Sequence, residues 1–151
     1  GASRNHNRLS VNLTVALDSQ LRGKGCEVYV NEMRVKVSAT GLYTYPDVIV
    51  VCGEPQFEDA EVDTLLNPTL IIEVLSKSTE DYDRGTKFLH YRALPSFREY
   101  VLIAQNKVHV EHCLRQDDAW VLTETDRRDD VIEIPSVGAR LTLADVYDRV
   151  L

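Results

Sequence analysis

The spacing of apolar residues changes along the first third of the chain, and each spacing predicts a different element. Apolar side chains recur every three or four positions until Gly23, which predicts an amphipathic helix near residues 6–22. From Cys26 the spacing becomes two, in "CEVYV" and again in "MRVKV". This alternation predicts two half-exposed strands that pair as a hairpin.

Two later segments are apolar on both faces. Val48–Cys52 and Leu70–Val74 have the pattern of strands covered on both sides, so we expect them to be adjacent central strands of one sheet. The acidic, proline-containing segment between them predicts a surface excursion. After the second strand, Ser78 or Thr79 is suited to cap a helix over residues 79–93.

The last third of the chain again favours strands. "EYVLIA" and "KVHVEHCL" predict two strands joined by a compact turn at "QN", followed by strands at "AWVLTE" and "VIEIP" and a closing helix capped by Thr142. Strands and helices are interspersed over residues 1–151. The chain is therefore predicted to be one domain of the α/β or α+β class, with a mixed β-sheet flanked by helices.

Composition narrows the classes of function. Lys and Arg total 17 against 24 Asp and Glu, a net charge of -7, so a polyanion partner would need a local basic patch. No apolar run approaches the length of a membrane span, and residues near the N-terminus do not combine a basic region with an apolar stretch, so we expect a cytoplasmic protein with no membrane partner. The three cysteines lack the paired spacing of zinc sites and are predicted to be buried, reduced thiols.

Two carboxylates interrupt the most apolar segments: Asp47 at the start of "DVIVVC" and Glu73 inside "LIIEVLS". A buried carboxylate is costly unless it is paired, protonated or bound to a cation. Two of them on adjacent strands could hold a hard ion such as Mg²⁺. The alternative is structural, with Asp47 as an ordinary strand-entry residue and Glu73 paired with a base of the next helix. The candidate bases are Arg84, Lys87 and Arg92.

The residues around these carboxylates resemble a known family. "YPDVIVVC", followed by "NPTLIIEVLSKSTEDYDRGTKFLHYRALPSFREYVLI", is similar to the Uma family of restriction-endonuclease domains, a branch of the PD-(D/E)XK nuclease superfamily. The resemblance implies a restriction-endonuclease-like fold over nearly the whole chain. Family members begin some tens of residues earlier, with a segment that bears a glutamate, so we expect this chain to lack that N-terminal segment.

The resemblance also implies roles for individual residues. Asp47 and Glu73 would ligate Mg²⁺ or Mn²⁺, with the backbone carbonyl of Val74 as a third ligand. Leu75 stands where the superfamily has a lysine, and Lys87 on the following helix matches the position to which that lysine has migrated in this family.

Two further residues are candidates for the site. Lys77, at the end of the strand, is the competing candidate for the catalytic lysine. His6 matches a family histidine near the start of the first helix, which would allow it to touch the site.

The function implied is metal-dependent endonucleolytic hydrolysis of phosphodiester bonds in DNA. A homodimer would supply two active sites, the simplest way to cut both strands of a duplex. The alternative is a catalytically weak or inactive module that keeps the nuclease fold and binds nucleic acid or another partner. The acidic pI, near 5.0, Leu75 and the expected lack of the family's N-terminal segment favour that alternative.

Overall fold

The computed structural model describes residues 2–150. The helices in this range are α1 (Arg4–Leu21), α2 (Glu80–Arg84), α3 (Thr86–Tyr91) and α4 (Leu143–Val146). The strands of the first half are β1 (Cys26–Val30), β2 (Arg34–Val37), β3 (Leu42–Thr44), β4 (Val48–Cys52), β5 (Thr64–Leu65) and β6 (Leu70–Val74). Those of the second half are β7 (Glu99–Ile103), β8 (Val110–Gln116), β9 (Ala119–Thr125), β10 (Val131–Ile134) and β11 (Ala139–Thr142).

A six-stranded mixed sheet in the order β1-β4-β6-β7-β8-β9 forms the centre of the molecule. Strands β6 and β7 run parallel, and the other neighbours are antiparallel. The parallel pair needs a crossover, and α2 and α3 supply it. The prediction of a mixed sheet flanked by helices is confirmed, as is the adjacency of the two apolar strands β4 and β6.

Each face of this sheet is covered by a different layer. Even-numbered residues of β4 and β6, such as Val50 and Ile72, pack with the leucines of α1 and with β10, β11 and α4. Odd-numbered residues, such as Ile49 and Ile71, pack with β2 and with the aromatic residues between Phe88 and Tyr100. Side chains on a strand alternate between faces, so burial on both sides explains why these strands are apolar throughout.

The predicted hairpin of β1 and β2 is wrong. Strand β1 pairs with β4 at the edge of the main sheet, whereas β2 pairs with β3 and β5 in a separate three-stranded sheet. Val35 and Val37 of β2 are fully buried in the second layer. Part of the predicted surface excursion also belongs there, because Leu65 of β5 is fully buried. Alternation identifies a half-exposed strand, but it carries no information about the partner.

The helix predicted over residues 79–93 is interrupted. Gly85 has φ -99° and ψ -95°, outside the helical region, and separates α2 from α3. A Cβ at this position would lie 3.1 Å from the Asp81 carbonyl oxygen, which is tight for a side chain. The break changes which residues of the two halves share a face.

The predicted turn at "QN" is a longer loop, which holds the first turn of α1. Ser3 caps α1 by accepting a hydrogen bond from the His6 N–H, and the Ser3 hydroxyl donates to Gln105 Oε1 at 2.7 Å. Asn5 Nδ2 also donates to the Gln105 carbonyl, at 3.3 Å. These contacts fix the start of α1 beside the end of β7. At the other terminus, the closing helix is only the single turn α4, and the Thr142 side chain makes no capping hydrogen bond.

The prediction of reduced thiols is wrong for two of the three cysteines. Cys26 and Cys52 lie opposite each other on β1 and β4 and form a disulfide, whereas Cys113 is buried and free, as predicted. Neighbouring positions on paired antiparallel strands are close enough for a bridge, but the sequence does not show which strands pair.

Reduction of this disulfide is expected to lower the free energy of unfolding by about 3 kcal/mol. The bridge closes a loop with a sequence separation of 26 residues, and a cross-link of that span restricts the unfolded chain. Urea denaturation with and without a reductant measures the difference. The Cys113→Ser variant is the control, and it should lose stability on reduction as the wild type does. Equal stability of the oxidised and reduced proteins would contradict the expectation.

No helix among residues 2–150 is both long and apolar enough to cross a membrane.

Candidate active site

The register of β4 and β6 brings Asp47 and Glu73 together. Val48 lies opposite Ile72, so one further step along the antiparallel ladder sets Asp47 opposite Glu73. The Asp47 N–H donates to Glu73 Oε1 at 3.1 Å, and the Val74 N–H donates to Asp47 Oδ2 at 2.7 Å. The two carboxylates are thus fixed to each other's strand by backbone hydrogen bonds.

Both carboxylates project toward the layer that contains α3. They have the same parity as Ile49 and Ile71, which face that layer. Glu73 is only 2% exposed. Burial is the main cause that raises the pKa of its carboxyl group to about 7, although the positive charge of Lys87 opposes the shift.

Lys87 is the cation that faces Glu73. Its Nζ forms a close ion pair with Glu73 Oε2 and lies 3.5 Å from Asp83 Oδ1. Burial of the ammonium group lowers the Lys87 pKa, but the Glu73 and Asp83 carboxylates outweigh burial and the net shift is upward. Lys87 therefore stays charged in a site where its side chain is only 13% exposed.

His6, on the first turn of α1, completes the other side of the site. Its Nε2 lies 3.0 Å from Asp47 Oδ1. The hydrogen bond to Asp47 is the main cause that raises the His6 pKa, and burial opposes it. The expectation that His6 touches the site agrees with this contact.

Asp83 is a residue of the site that the sequence analysis missed. It is 4% exposed, and burial raises the pKa of its carboxyl group while Lys87 opposes that shift. The Tyr100 hydroxyl donates to the Asp83 backbone carbonyl at 2.9 Å, which fixes this turn on the sheet. A usable signal was present, because Asp83 and Lys87 have the i,i+4 spacing of a helical ion pair.

Tyr91 is both a core residue and a partner of the site. Its ring is fully buried, and its hydroxyl donates to Glu73 Oε2 at 3.3 Å. The same hydroxyl is 3.2 Å from Thr44 Oγ1. An apolar position in the helical pattern therefore also supplies a hydrogen bond to the carboxylate.

Other candidate bases lie elsewhere. Arg84 pairs with Glu111 at 2.8 Å instead of Glu73, and the non-helical Gly85 separates it from Lys87 along the chain. Lys77 is exposed and borders the cavity without contacting Glu73. Of the bases proposed as structural partners of Glu73, Lys87 is the one in contact with it.

A cavity of about 860 Å³ opens over these residues. Its floor is formed by the residues just before the start of β4 and at the end of β6. Its walls are formed by α2, the start of α1 and the loop after β7. The lining includes His6, Asp47, Glu73, Asp83 and Lys87. A cavity of this size accommodates a nucleotide-sized ligand.

The donor set fits a hard divalent cation. Glu73 Oε2 accepts from both Lys87 and Tyr91, whereas the other three carboxylate oxygens of Asp47 and Glu73 each have one partner among the described residues. Each of those three oxygens retains a lone pair. Among residues 2–150, this site does not contain three His, Cys, Asp or Glu side chains whose ligand atoms all lie within 4.8 Å of one another. Mg²⁺ suits such a site, because it takes one or two carboxylates and fills its shell with water and phosphate oxygens.

The stability of the metal-free protein is expected to depend on the proton of Glu73. In the folded protein the pKa of Glu73 is raised from the ordinary 4.5 to about 7. The stabilisation that protonated Glu73 gives to the folded state is therefore complete below pH 4.5 and is lost as the pH rises through 7. The difference in unfolding free energy between Glu73→Gln and the wild type should grow in favour of the variant by about 3 kcal/mol from pH 4.5 to pH 8.

Urea denaturation in EDTA at several pH values measures this difference. The matched control is Glu32→Gln, since Glu32 lies exposed in the turn after β1. A constant difference between Glu73→Gln and the wild type across this range would contradict the assignment of the raised pKa.

The architecture and the site together define a protein with a nuclease-like fold. The crystal structure of a "putative nuclease belonging to DUF820" from Anabaena variabilis superposes on this chain with a TM-score of 0.80, at 18% sequence identity. The alignment covers 99% of this chain and 84% of the other.

The chain belongs to the Uma2 family, described as "Putative restriction endonuclease", whose sequence model matches residues 1–144. The resemblance to the Uma family is therefore confirmed. Two relatives from Synechocystis, both named as uncharacterized proteins, are similar in sequence. The protein sll1609 is 42% identical over 125 residues, which cover 82% of this chain and 71% of the relative. The protein slr1290 is 33% identical over 147 residues, which cover 97% of this chain and 76% of the relative.

Proposed function

We propose that the protein is a metal-dependent endonuclease that hydrolyses phosphodiester bonds in DNA. One observation carries the proposal: Asp47 and Glu73 converge from adjacent central strands on a cavity in which Lys87 is the buried cation. Two carboxylates and a lysine are the groups that metal-assisted phosphodiester hydrolysis uses. The family description and the structural neighbour support the nuclease class.

Asp47 and Glu73 would hold Mg²⁺ or Mn²⁺, with the Val74 carbonyl as the proposed third ligand. The Val74 N–H already faces Asp47, and the amide and carbonyl of one strand residue point to the same side. A bound ion of this kind polarises a phosphate and lowers the pKa of a coordinated water.

Lys87 is proposed to act at the reacting phosphate. Its ammonium group lies between the Glu73 and Asp83 carboxylates and remains protonated, so it can orient the attacking water or offset charge that develops on the phosphate oxygens. In the hydrolysis, the water oxygen forms a bond to phosphorus and gives up a proton to solvent, while the bond from phosphorus to the leaving nucleotide oxygen breaks and that oxygen takes up a proton.

The surrounding residues hold the carboxylates in position. His6 contacts Asp47 Oδ1 and Tyr91 donates to Glu73 Oε2, which leaves little rotational freedom to either side chain. Asp83 shares Lys87 with Glu73 and so keeps the ammonium group near the floor of the cavity. These are positioning roles in our proposal.

The test is cleavage of supercoiled plasmid DNA by the whole chain with Mg²⁺, Mn²⁺ or EDTA. We expect nicked or linear products with the metals and none with EDTA. Linear product at low enzyme turnover, together with a dimer mass in solution, would support the proposed homodimer. Absence of cleavage with either metal would favour the inactive nucleic-acid-binding module, for which retained DNA binding is the positive sign.

A further inference from the structure

Two exposed tyrosines border the cavity, and among residues 2–150 their hydroxyls hydrogen-bond to none of its carboxylates. Tyr45 lies two residues before Asp47 and is 56% exposed, and Tyr82 of α2 is 44% exposed. Large exposed side chains that occur singly need no explanation. Here both members of the pair lie at the rim of one cavity.

The third exposed tyrosine provides a comparison. Tyr43 has the same exposure as Tyr82, but its hydroxyl donates to Glu58 at 2.7 Å and its ring is covered by Arg34 at 4.8 Å. Contacts within the protein therefore account for Tyr43. Within residues 2–150, the hydroxyls of Tyr45 and Tyr82 have no such hydrogen bond, and Lys87 Nζ lies 6.0 Å from the centroid of the Tyr82 ring.

The cations at the rim point to the same class of ligand. Lys77 and Lys107 line the cavity, and no carboxylate of the described residues lies within ion-pair distance of either lysine. The other lysine of the cavity, Lys87, is paired with Glu73. The mouth thus combines aromatic rings with two available positive charges.

We propose that Tyr45 and Tyr82 form a base-stacking subsite, and that the substrate is a strand with unpaired nucleotides next to the cleaved bond. An aromatic ring stacks on any base whose face is free, whereas in an intact duplex each base face is covered by its neighbours. Lys77 and Lys107 would contact phosphates of the same strand. This inference rests on the proposed nuclease function and names the substrate class of its site.

The overall charge favours this substrate class. Affinity for a duplex comes mainly from many phosphate contacts, and with 24 Asp and Glu against 17 Lys and Arg this chain carries a net charge of -7 that opposes them. Stacking gives affinity that does not depend on positive charge. An acidic protein can therefore bind a single strand through two rings and a few lysines.

The test is binding of a fluorescein-labelled 12-nucleotide single strand, compared with a hairpin duplex of the same sequence, by anisotropy in Ca²⁺ without cleavage. We expect the single strand to bind at least about 10-fold more tightly than the duplex. Tyr45→Ala and Tyr82→Ala should each weaken single-strand binding by about 5- to 100-fold, the loss typical of one stacked base. Tyr45→Phe and Tyr82→Phe should bind as the wild type does.

Further variants and a folding check make the result specific. Tyr43→Ala removes an equally exposed ring outside the cavity and should leave binding unchanged. Lys77→Ala and Lys107→Ala should each reduce the slope of log affinity against log salt by about 0.7, the value for one phosphate contact with a single strand. Circular dichroism of each variant confirms that it is folded.

The outcomes separate this inference from the proposed function. If the wild type cleaves DNA with Mn²⁺ but binds duplex as tightly as single strand, or if both alanine variants bind normally, the stacking subsite is wrong and the nuclease proposal stands. If single-strand binding depends on Tyr45 and Tyr82 but no metal supports cleavage, the subsite stands and the nuclease proposal fails.

Discussion

Replacement of Lys87 by methionine is expected to lower phosphodiester hydrolysis by about 10²-fold or more, a loss typical for removal of one electrostatic stabiliser of a transition state. Lys87 Nζ lies 6.0 Å from the ring centroids of Tyr82 and Tyr91, and methionine keeps an apolar stem at this position but removes the charge. Single-turnover cleavage of a labelled oligonucleotide in Mn²⁺ measures the effect. Lys24→Met, at an exposed lysine outside the cavity, should cleave as the wild type does, and Lys77→Met tests the competing lysine.

The same change is expected to affect stability, because Lys87 is the ion-pair partner of a buried carboxylate. Removal of a solvated helix lysine is expected to leave folding nearly intact. The contact with Glu73 alters that expectation. At pH 8 the free energy of unfolding of Lys87→Met should be about 1–3 kcal/mol lower than that of the wild type, which is the cost of a buried polar group left without its partner.

The double variant Lys87→Met/Glu73→Gln separates the two roles of the lysine. Removal of both charges of a buried pair is often neutral for stability, so the double variant should recover most of the loss while remaining inactive. Normal cleavage by a folded Lys87→Met protein would refute the assigned role. If Lys77→Met were instead the inactive variant, the catalytic role would pass to Lys77.

Asp47→Asn and Glu73→Gln are each expected to lower cleavage by about 10²- to 10³-fold and to weaken Mn²⁺ binding at least about 10-fold. Each substitution replaces a charged oxygen ligand by a neutral amide, and Asp47 and Glu73 are the two carboxylate ligands of the proposed metal site. Isothermal titration with Mn²⁺ and cleavage of plasmid DNA give the two readouts.

A matched control is available in the loop before β5. Asp59, Glu61 and Asp63 are exposed, and their ligand atoms lie within 4.8 Å of one another, so they form the alternative place for a cation. Asp59→Asn should leave both Mn²⁺ binding and cleavage unchanged. Loss of Mn²⁺ binding in Asp59→Asn, with normal binding in the Asp47 and Glu73 variants, would put the ion on this loop and contradict the proposal.

The sequence predicted the central part of the sheet because a strand that is buried on both faces is a continuous run of apolar residues. Strands β4 and β6 are covered on both faces and are therefore apolar at every position except Glu73. The same reasoning made the two carboxylates conspicuous, since a charge in such a strand needs a partner. Helix α1 was equally readable from its row of buried leucines.

Contacts between distant segments were outside the reach of that reasoning. The alternation in β1 and β2 was read correctly as two strands, but pairing depends on which surfaces remain uncovered after the layers assemble, and β2 joined the second sheet. The Cys26–Cys52 disulfide follows from the pairing of β1 with β4, so it was missed for the same reason.

The candidate site shows the same division at the level of single residues. Asp47, Glu73 and Lys87 were found from buried strand positions and family resemblance, both of which are present in the linear sequence. The geometry was not, because the local pattern did not show the helix break at Gly85, the pairing of Arg84 with Glu111 or the contact of Lys87 with both Glu73 and Asp83. Local patterns record whether a side chain is buried, whereas register, helix breaks and the packing of layers establish which buried groups meet.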